Sequence, residues 1–500
     1  MSLPVQTNYA RGGGVQRQTQ TAVLMMLIGL CLVLTMGSAI AGAATLGITP
    51  APQSNNVSPD TPLRIRFDRP PALGTAGLIR IHDADSGALV DTLDLAIPAS
   101  PNRRMTPAEA TADAAVNRYQ STRIAGRDWH FRPVIVRGHV ATITPHHGVL
   151  TYGRRYRVTV DAGVLHAEPI TWVFATRAAA PAADSTRLVV AADGSGDFAT
   201  VQGAVDFVPD KPATRTTIFI RNGDYEEIVS LNAKRDLTLR GESRDGVVVH
   251  YANSSAFNPG GRARWAFSIV DGQDLQLSGF TINNTAIGQA EALMTRGERI
   301  VLSDMTLNGS GDALTTYGTL YVQDSKLTGH GDTILGYAAA YFLRTELVSI
   351  GPFSWTRTPA GQHGNVFVDC TFRASDAPPP WTAAASAPVA NPAAVFARLP
   401  RNNSATRTAT NFPHAEMVLI DSRLQGIAPE GWGPVEEAPG FDSSQVRFLE
   451  FNSRDLQGRP VDVSRRHPVS RQLTMDRDAE TIANYRRPAF VLGGWTPKVE

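Results

Sequence analysis

The sequence predicts an all-β protein, in which a small β-sandwich precedes a right-handed, single-stranded parallel β-helix. Three observations carry that expectation. From Leu46 to about Thr176, short runs alternate apolar and polar residues and are broken by Asp, Gly and Pro. From Leu188 onward, short apolar strands recur at intervals of roughly 20 residues, about the length of one β-helix coil. Asn-Gly hairpin turns are scarce across that second stretch, at Asn222-Gly223 and Asn308-Gly309, which argues against a meander or sandwich there.

Five hundred residues with 42% apolar content and a formal net charge of +1 suit two or three folded domains, and near-neutrality gives no reason to invoke nucleic acid. Residues 1–43 are expected to be a signal peptide. Arg11 and Arg17 precede an uncharged, largely apolar run, Thr21 to Met36, and small residues follow in Ala39-Ile-Ala41-Gly-Ala43. That run is shorter than the approximately 20 residues a membrane span needs. The mature chain is therefore expected to be secreted or periplasmic and off the membrane, with a retained anchor as the alternative. Cys31 falls within the signal, so Cys370 alone would remain and no internal disulfide is expected.

The sandwich is assigned to residues 44–178 on the alternating runs Pro62–Phe67, Leu78–His82 and Arg155–Asp161, with a loop or one short helix between Pro98 and Arg127. The run Val57-Ser-Pro-Asp-Thr-Pro-Leu-Arg-Ile-Arg-Phe-Asp68 resembles bacterial immunoglobulin-like modules. Residues 179–187 are a linker by their Ala and Pro content. The β-helix is assigned to residues 188–497. It opens with a strand, a Gly-rich turn and a short helix bearing Val201, Ala204, Val205 and Val208, which would cap an end that otherwise exposes unpaired backbone groups. Strands are expected at Thr217–Arg221, Leu237–Arg240, Val247–His250, Leu275–Ile282, Ile300–Leu307, Thr319–Leu327, Tyr341–Leu347, Asn365–Phe372 and Met417–Leu424. Ser375–Ala394 is a Pro- and Ala-rich loop. The segment from Phe448 is polar and irregular and is expected to fold back along the exterior.

Chemistry concentrates between Gln289 and Gly336. Gln289 and Asp312 are 23 residues apart and Asp312 and Asp332 are 20 apart. If each interval is one coil, the three side chains form a column on one face, at the interstrand spacing of about 4.8 Å. Two carboxylates so placed cannot both ionise cheaply, so one is expected as an anionic nucleophile and one as a protonated acid, beside a neutral amide donor. Gly-Asp is also a common turn dipeptide, and it is the one-coil spacing that favours a site. His330 and His363 lack a third ligand, so no metal is expected, and no cofactor either. Cys370 reads as a core residue.

The ordered landmarks Asp193-Gly-Ser-Gly-Asp-Phe-Ala-Thr-Val-Gln202, Gly223-Asp-Tyr-Glu-Glu227, Leu239-Arg-Gly-Glu242, Gln289-Ala-Glu-Ala-Leu293 and Gly426-Ile-Ala-Pro-Glu-Gly-Trp432 resemble those of pectin methylesterases, over about residues 188–497. The resemblance implies a parallel β-helix that removes methyl esters from galacturonan without metal or cofactor. It further implies Asp332 as nucleophile, Asp312 as general acid/base and Gln289 as the amide stabilising the oxyanion. Three departures stand out. Gly311 occupies the place of a second family glutamine. Thr315, Thr333 and Leu335 stand where aromatic residues usually follow the aspartates. Phe396-Ala-Arg-Leu-Pro-Arg401 replaces Leu-Gly-Arg-Pro-Trp, so Arg398 or Arg401 would pair with the nucleophile, Arg398 being favoured. Trp355 or Trp381 would then supply a sugar-stacking face.

The expected partner is methylated polygalacturonate or a related plant polysaccharide, and the expected state a monomer. Two other functions fit the sequence: an esterase or thioesterase acting on another acyl substrate, and a non-catalytic polysaccharide-binding β-helix. A β-helix lyase would want a cluster of calcium-binding carboxylates, which this column does not offer.

Overall fold

The computed structural model describes residues 43–114, 118–260, 263–375, 393–398, 401–402, 410–433 and 442–500. The expected signal segment, but for its last residue, and Trp381 lie outside the described residues.

Residues 45–175 form two four-stranded antiparallel sheets. Their inner faces carry the alternate residues of the period-two runs: Leu63, Ile65 and Phe67 from one sheet meet Ile79, Ile81, Val158 and Trp172 from the other in one buried core. Between Pro98 and Arg127 the chain forms the helix Pro107–Ala114, opened by a reciprocal cap in which Glu109 N donates to Thr106 Oγ1 at 3.2 Å and Thr106 N donates to Glu109 Oε2 at 2.7 Å. The same stretch also contributes the hairpin strands Ser121–Ile124 and Arg127–His130, which the sequence did not predict.

The rest is a parallel β-helix. One long sheet runs from Arg187–Val190 through Thr216–Ile220, Arg235–Gly241, Trp265–Ser278, Glu291–Ser303 and Leu314–Gln323 to the C-terminal coils, and a second parallel sheet stacks beside it. Leu239, Leu277, Leu302, Val322, Phe342, Phe367 and Leu419 fall in the same buried core, and the Phe342 and Phe367 rings stack at 4.6 Å. Cys370 is fully buried in it, and burial pushes its thiol up to about 12.

The period was predicted correctly, but six of the predicted strands prove to be pairs. Leu275–Ile282, Ile300–Leu307, Thr319–Leu327, Tyr341–Leu347, Asn365–Phe372 and Met417–Leu424 each straddle a corner between the two sheets. The first corner is turned by Gly279 at φ 68°, and the other five by one non-glycine residue in the left-handed region: Asp304, Asp324, Arg344, Asp369 and Asp421, with φ between 47° and 54°. Asp tolerates that conformation better than most side chains, and its corner N–H stays paired, since Asp324 N donates to Leu343 O at 3.1 Å and Asp369 N to Ile420 O at 3.0 Å. Arg344, the exception in the column, lays its guanidinium on the Asp324 carboxylate with two bonds of 2.7 and 2.8 Å.

The short helix Val201–Phe207 closes the N-terminal end. Its free N–H groups are taken by two carboxylates. Glu227 accepts from Val201 N at 2.8 Å and Gln202 N at 2.9 Å; burial pushes this carboxyl up to about 7 against the pull of those two donors. Asp60, from the sandwich, accepts from Ala199 N at 3.0 Å, Thr200 N at 2.8 Å and Thr200 Oγ1 at 2.7 Å. Asp60→Ala is expected to lower stability by about 1–2 kcal/mol, read as a lower melting temperature, because it strands two partly buried backbone donors at once.

At the other end, the segment expected to be irregular contains the helix Met475–Tyr485 and the turn Pro488–Val491. Ile482, Tyr485, Val491 and Leu492 cover Tyr321, Tyr341, Val366 and Val418 on the outer face of the long sheet. The helical period escaped notice because Ile482 and Tyr485 are the only buried apolar residues of that helix. Among the described residues no helix is long and apolar enough to cross a membrane.

Candidate active site

Parallel pairing sets Leu293 beside Leu314 and Leu314 beside Ile334. Two residues earlier on each coil, the equivalent positions are Glu291, Asp312 and Asp332. The expected stacking of Asp312 and Asp332 is therefore present, but the third member of the column is Glu291, not Gln289. The physical reason is coil length: these coils are 21 and 20 residues long, so the 23-residue interval from Gln289 overshoots by two. Gln289 is exposed and its carbonyl accepts from Ser255 N at 3.0 Å. It still borders the site, since a Cβ built on Gly311 would stand 3.4 Å from the Gln289 Cα.

Asp332 is 7% exposed and adopts φ +49°, which turns its carboxylate out of the strand direction toward Arg398. Arg398 Nε donates to Oδ1 at 2.7 Å and Nη2 donates to Oδ2, a bidentate fork that holds the carboxylate in one orientation. Arg398 is placed by a rung of its own. Ser354 N donates to Phe396 O at 2.9 Å, Arg398 N donates to Ser354 O at 3.2 Å, and Phe396 N donates to Gly431 O at 2.7 Å. The Gly426–Trp432 landmark thus positions the arginine: Trp432 lies between Phe396 at 5.1 Å and Phe448 at 4.5 Å, ring to ring. Arg401 belongs to a two-residue strand whose side chains lie outside the described residues.

Asp312 lies one rung away with its side chain 15% exposed. Its carboxyl is pushed well above the usual carboxylate range, first by burial and then by the charge and hydrogen bond of Glu291; Arg264 and Arg398 pull the other way. Glu291 is raised as well, chiefly by burial, and its side chain is 1% exposed. Arg264 pairs with Glu291 Oε1 and stands 3.5 Å from Asp312 Oδ2. Neither Glu291 nor Arg264 was picked out from the sequence, although Glu291 sits inside the Gln289–Leu293 landmark. Counting back from Asp312 with the 20-residue step of the next coil lands on Ala292, one residue short of Glu291.

The Trp355 ring, expected to stack on sugar, instead meets two guanidinium groups, Arg398 at 4.3 Å and Arg357 at 3.8 Å from its centroid. It braces the arginine that braces Asp332. Thr315, Leu335 and Trp355 form the neighbouring column. His330 joins the rung beneath through its backbone, donating to Gly311 O at 2.8 Å, and burial lowers the affinity of its imidazole for a proton. His363 pairs with Glu416 at 2.9 Å. Among the described residues no three His, Cys, Asp or Glu side chains converge on a metal position.

The arrangement places a fixed carboxylate beside a carboxyl whose affinity for a proton is raised, a pairing suited to attack on a carbonyl and protonation of the leaving group. Residues 187–368 match the sequence profile of the Pectinesterase family. Pectinesterase 4 of Arabidopsis thaliana is 32% identical over 134 residues, covering 26% of this chain and 23% of that protein. Probable pectinesterase 30 of the same plant is 33% identical over 136 residues, covering 26% of this chain and 27% of that protein. The chain thus spans about a quarter of the length of these curated relatives. Among solved structures, the pectin methylesterase from carrot superposes with a TM-score of 0.50 at 19% identity, over 61% of this chain and 93% of that one, a likeness of fold.

Proposed function

We propose that the protein, whose residues 187–368 match the Pectinesterase family profile, is a carboxylic ester hydrolase that removes methyl esters from galacturonan through an aspartyl nucleophile. The observation that carries this reading is the Asp332–Arg398 fork, one rung from the Asp312 carboxyl, whose affinity for a proton burial and Glu291 raise. An Asp332 oxygen attacks the ester carbonyl carbon. The tetrahedral intermediate collapses with loss of methoxide, which takes the Asp312 proton and leaves as methanol. Asp312, now a carboxylate, removes a proton from water; the hydroxide attacks the Asp332 anhydride, and the C–O bond to Asp332 breaks to release the free uronate. Gln289 borders this space and supplies an amide donor for the oxyanion, a donor type worth about 3 kcal/mol where one has been deleted elsewhere.

The test is methanol release from methylated polygalacturonate against hydrolysis of a generic aryl ester. Turnover of the polymer with little activity on the aryl ester supports the reading. The reverse supports the second reading, an esterase for another acyl substrate, which Gly311, Thr315 and Leu335 favour by removing the family's second amide and aromatic walls. The polymer would meet the protein outside the cytoplasm, consistent with the export expected from residues 1–43.

Gly311 offers a direct check. It does not have positive φ, and an added Cβ would meet its nearest neighbour, Gly288 O, at 3.3 Å, a contact a small shift relieves. Gly311→Gln is therefore expected to fold and to raise kcat for methanol release by up to about tenfold by restoring an oxyanion donor. An unchanged or lower kcat at unchanged melting temperature would count against that role for the position.

A further inference from the structure

Glu291 is a buried charge that the reaction as written does not use. Its Oε1 is occupied by Arg264 and by Thr315 Oγ1 at 3.4 Å. Its Oε2 is buried and receives no donor from any described N–H or hydroxyl group. The neighbour on the next rung is the Asp312 carboxyl, which Arg264 Nη2 also approaches, at 3.5 Å. Building on the esterase reading, we propose that Glu291 is a positioning residue for Asp312: its Oε2 accepts the proton Asp312 carries, and so orients and retains that proton for the departing alkoxide.

The charges around the pair support this. Arg264 beside Glu291 balances one negative charge, and Arg398, whose charge also reaches Asp312, is already engaged by Asp332. Two carboxylates one rung apart in a nearly closed site would carry one uncompensated charge, so the pair holds one proton between them. A purely structural ion pair would satisfy both Glu291 oxygens with the guanidinium; here the guanidinium goes to one and leaves the other for Asp312. When methoxide takes the proton, Asp312 becomes an anion beside an anion, which strengthens it as the base that next deprotonates water.

The experiment follows the Asp312 carboxyl by 13C NMR in full-length protein labelled at aspartate, with the resonance assigned by its loss in Asp312→Asn. In the wild type, the Asp312 midpoint is expected well above the ordinary carboxylate range. In Glu291→Gln the amide donates to Asp312 instead of accepting from it, so the anion is favoured and the midpoint falls by at least one pH unit, a tenfold loss of proton affinity. Since the acid step needs the proton, the alkaline limb of the methanol-release profile is expected to move to lower pH by the same amount. An Asp312 midpoint in the ordinary carboxylate range in the wild type overturns the proposal, whether or not the variant folds. So does an unchanged midpoint in folded Glu291→Gln, even with a lower melting temperature, because packing alone would do that. A shifted midpoint in a protein that releases no methanol keeps the shared proton and sinks the esterase reading instead.

Discussion

Asp332→Asn is expected to cut methanol release from methylated polygalacturonate by at least about 10⁴-fold, because an amide oxygen cannot form the acyl intermediate and Glu291, the column's other candidate anion, is 1% exposed and tied to Arg264. The choice of Asn matters. Position 332 has φ +49°, which Asn tolerates and Ala does not, so the backbone corner survives the change. One oxygen remains to accept from Arg398, which itself stays braced on the Trp355 ring. The melting temperature is therefore expected to move by only a few degrees. Initial-rate methanol assays together with thermal unfolding decide the matter: a variant that keeps more than a tenth of wild-type turnover assigns the nucleophile elsewhere.

Arg466→Met is the substitution expected to cost most in stability. Arg466 and Glu450 are both buried, with side chains 4% and 1% exposed, and are joined by bonds of 2.9 and 3.0 Å. Arg466 also donates to Ala428 O at 3.2 Å and Pro429 O at 3.1 Å, and its guanidinium lies 5.3 Å from the Phe396 ring centroid. Removing it leaves Glu450 charged in the interior with only the Gln472 amide, at 3.0 Å, as a side-chain donor. Breaking such a pair from one side costs about 3–5 kcal/mol, to be read as a lower urea midpoint with an unchanged slope. The same rung carries Phe396 and Arg398, so kcat is expected to fall as well. A stability change under about 1 kcal/mol would mean that Glu450 takes up a proton or water relieves it.

How far the sequence could be read depended on what each feature repeats. The coil period is written many times, in Leu302, Val322, Phe342, Phe367 and Leu419, so the parallel β-helix was legible. The corners were not, because Asp369 interrupts an apolar run as one exposed strand position would, and the polar stretches Ser303-Asp304 and Gln323-Asp324-Ser325-Lys326 do not mark which residue turns the chain. Asp312 and Asp332 could be paired because the interval between them equals a coil. Gln289 was placed in their column by taking its 23-residue interval for one coil, and the two-residue overshoot concealed Glu291. Arg264 was beyond reach of spacing arguments altogether: it precedes the long strand Trp265–Ser278 and reaches Glu291 on the following coil. The role of Trp355 was missed for a related reason, since stacking against Arg398 and Arg357 depends on where the rung after Ser354 runs.

The bond from Asp60 to the start of the Val201–Phe207 helix bears on how the chain can be divided. A carboxylate contributed from 139 residues upstream completes the lid of the solenoid, so the front module serves as part of its closure as well as whatever else it does. A shortened version beginning near residue 187 would leave that lid ajar, and fraying would start at the coil farthest from the ester.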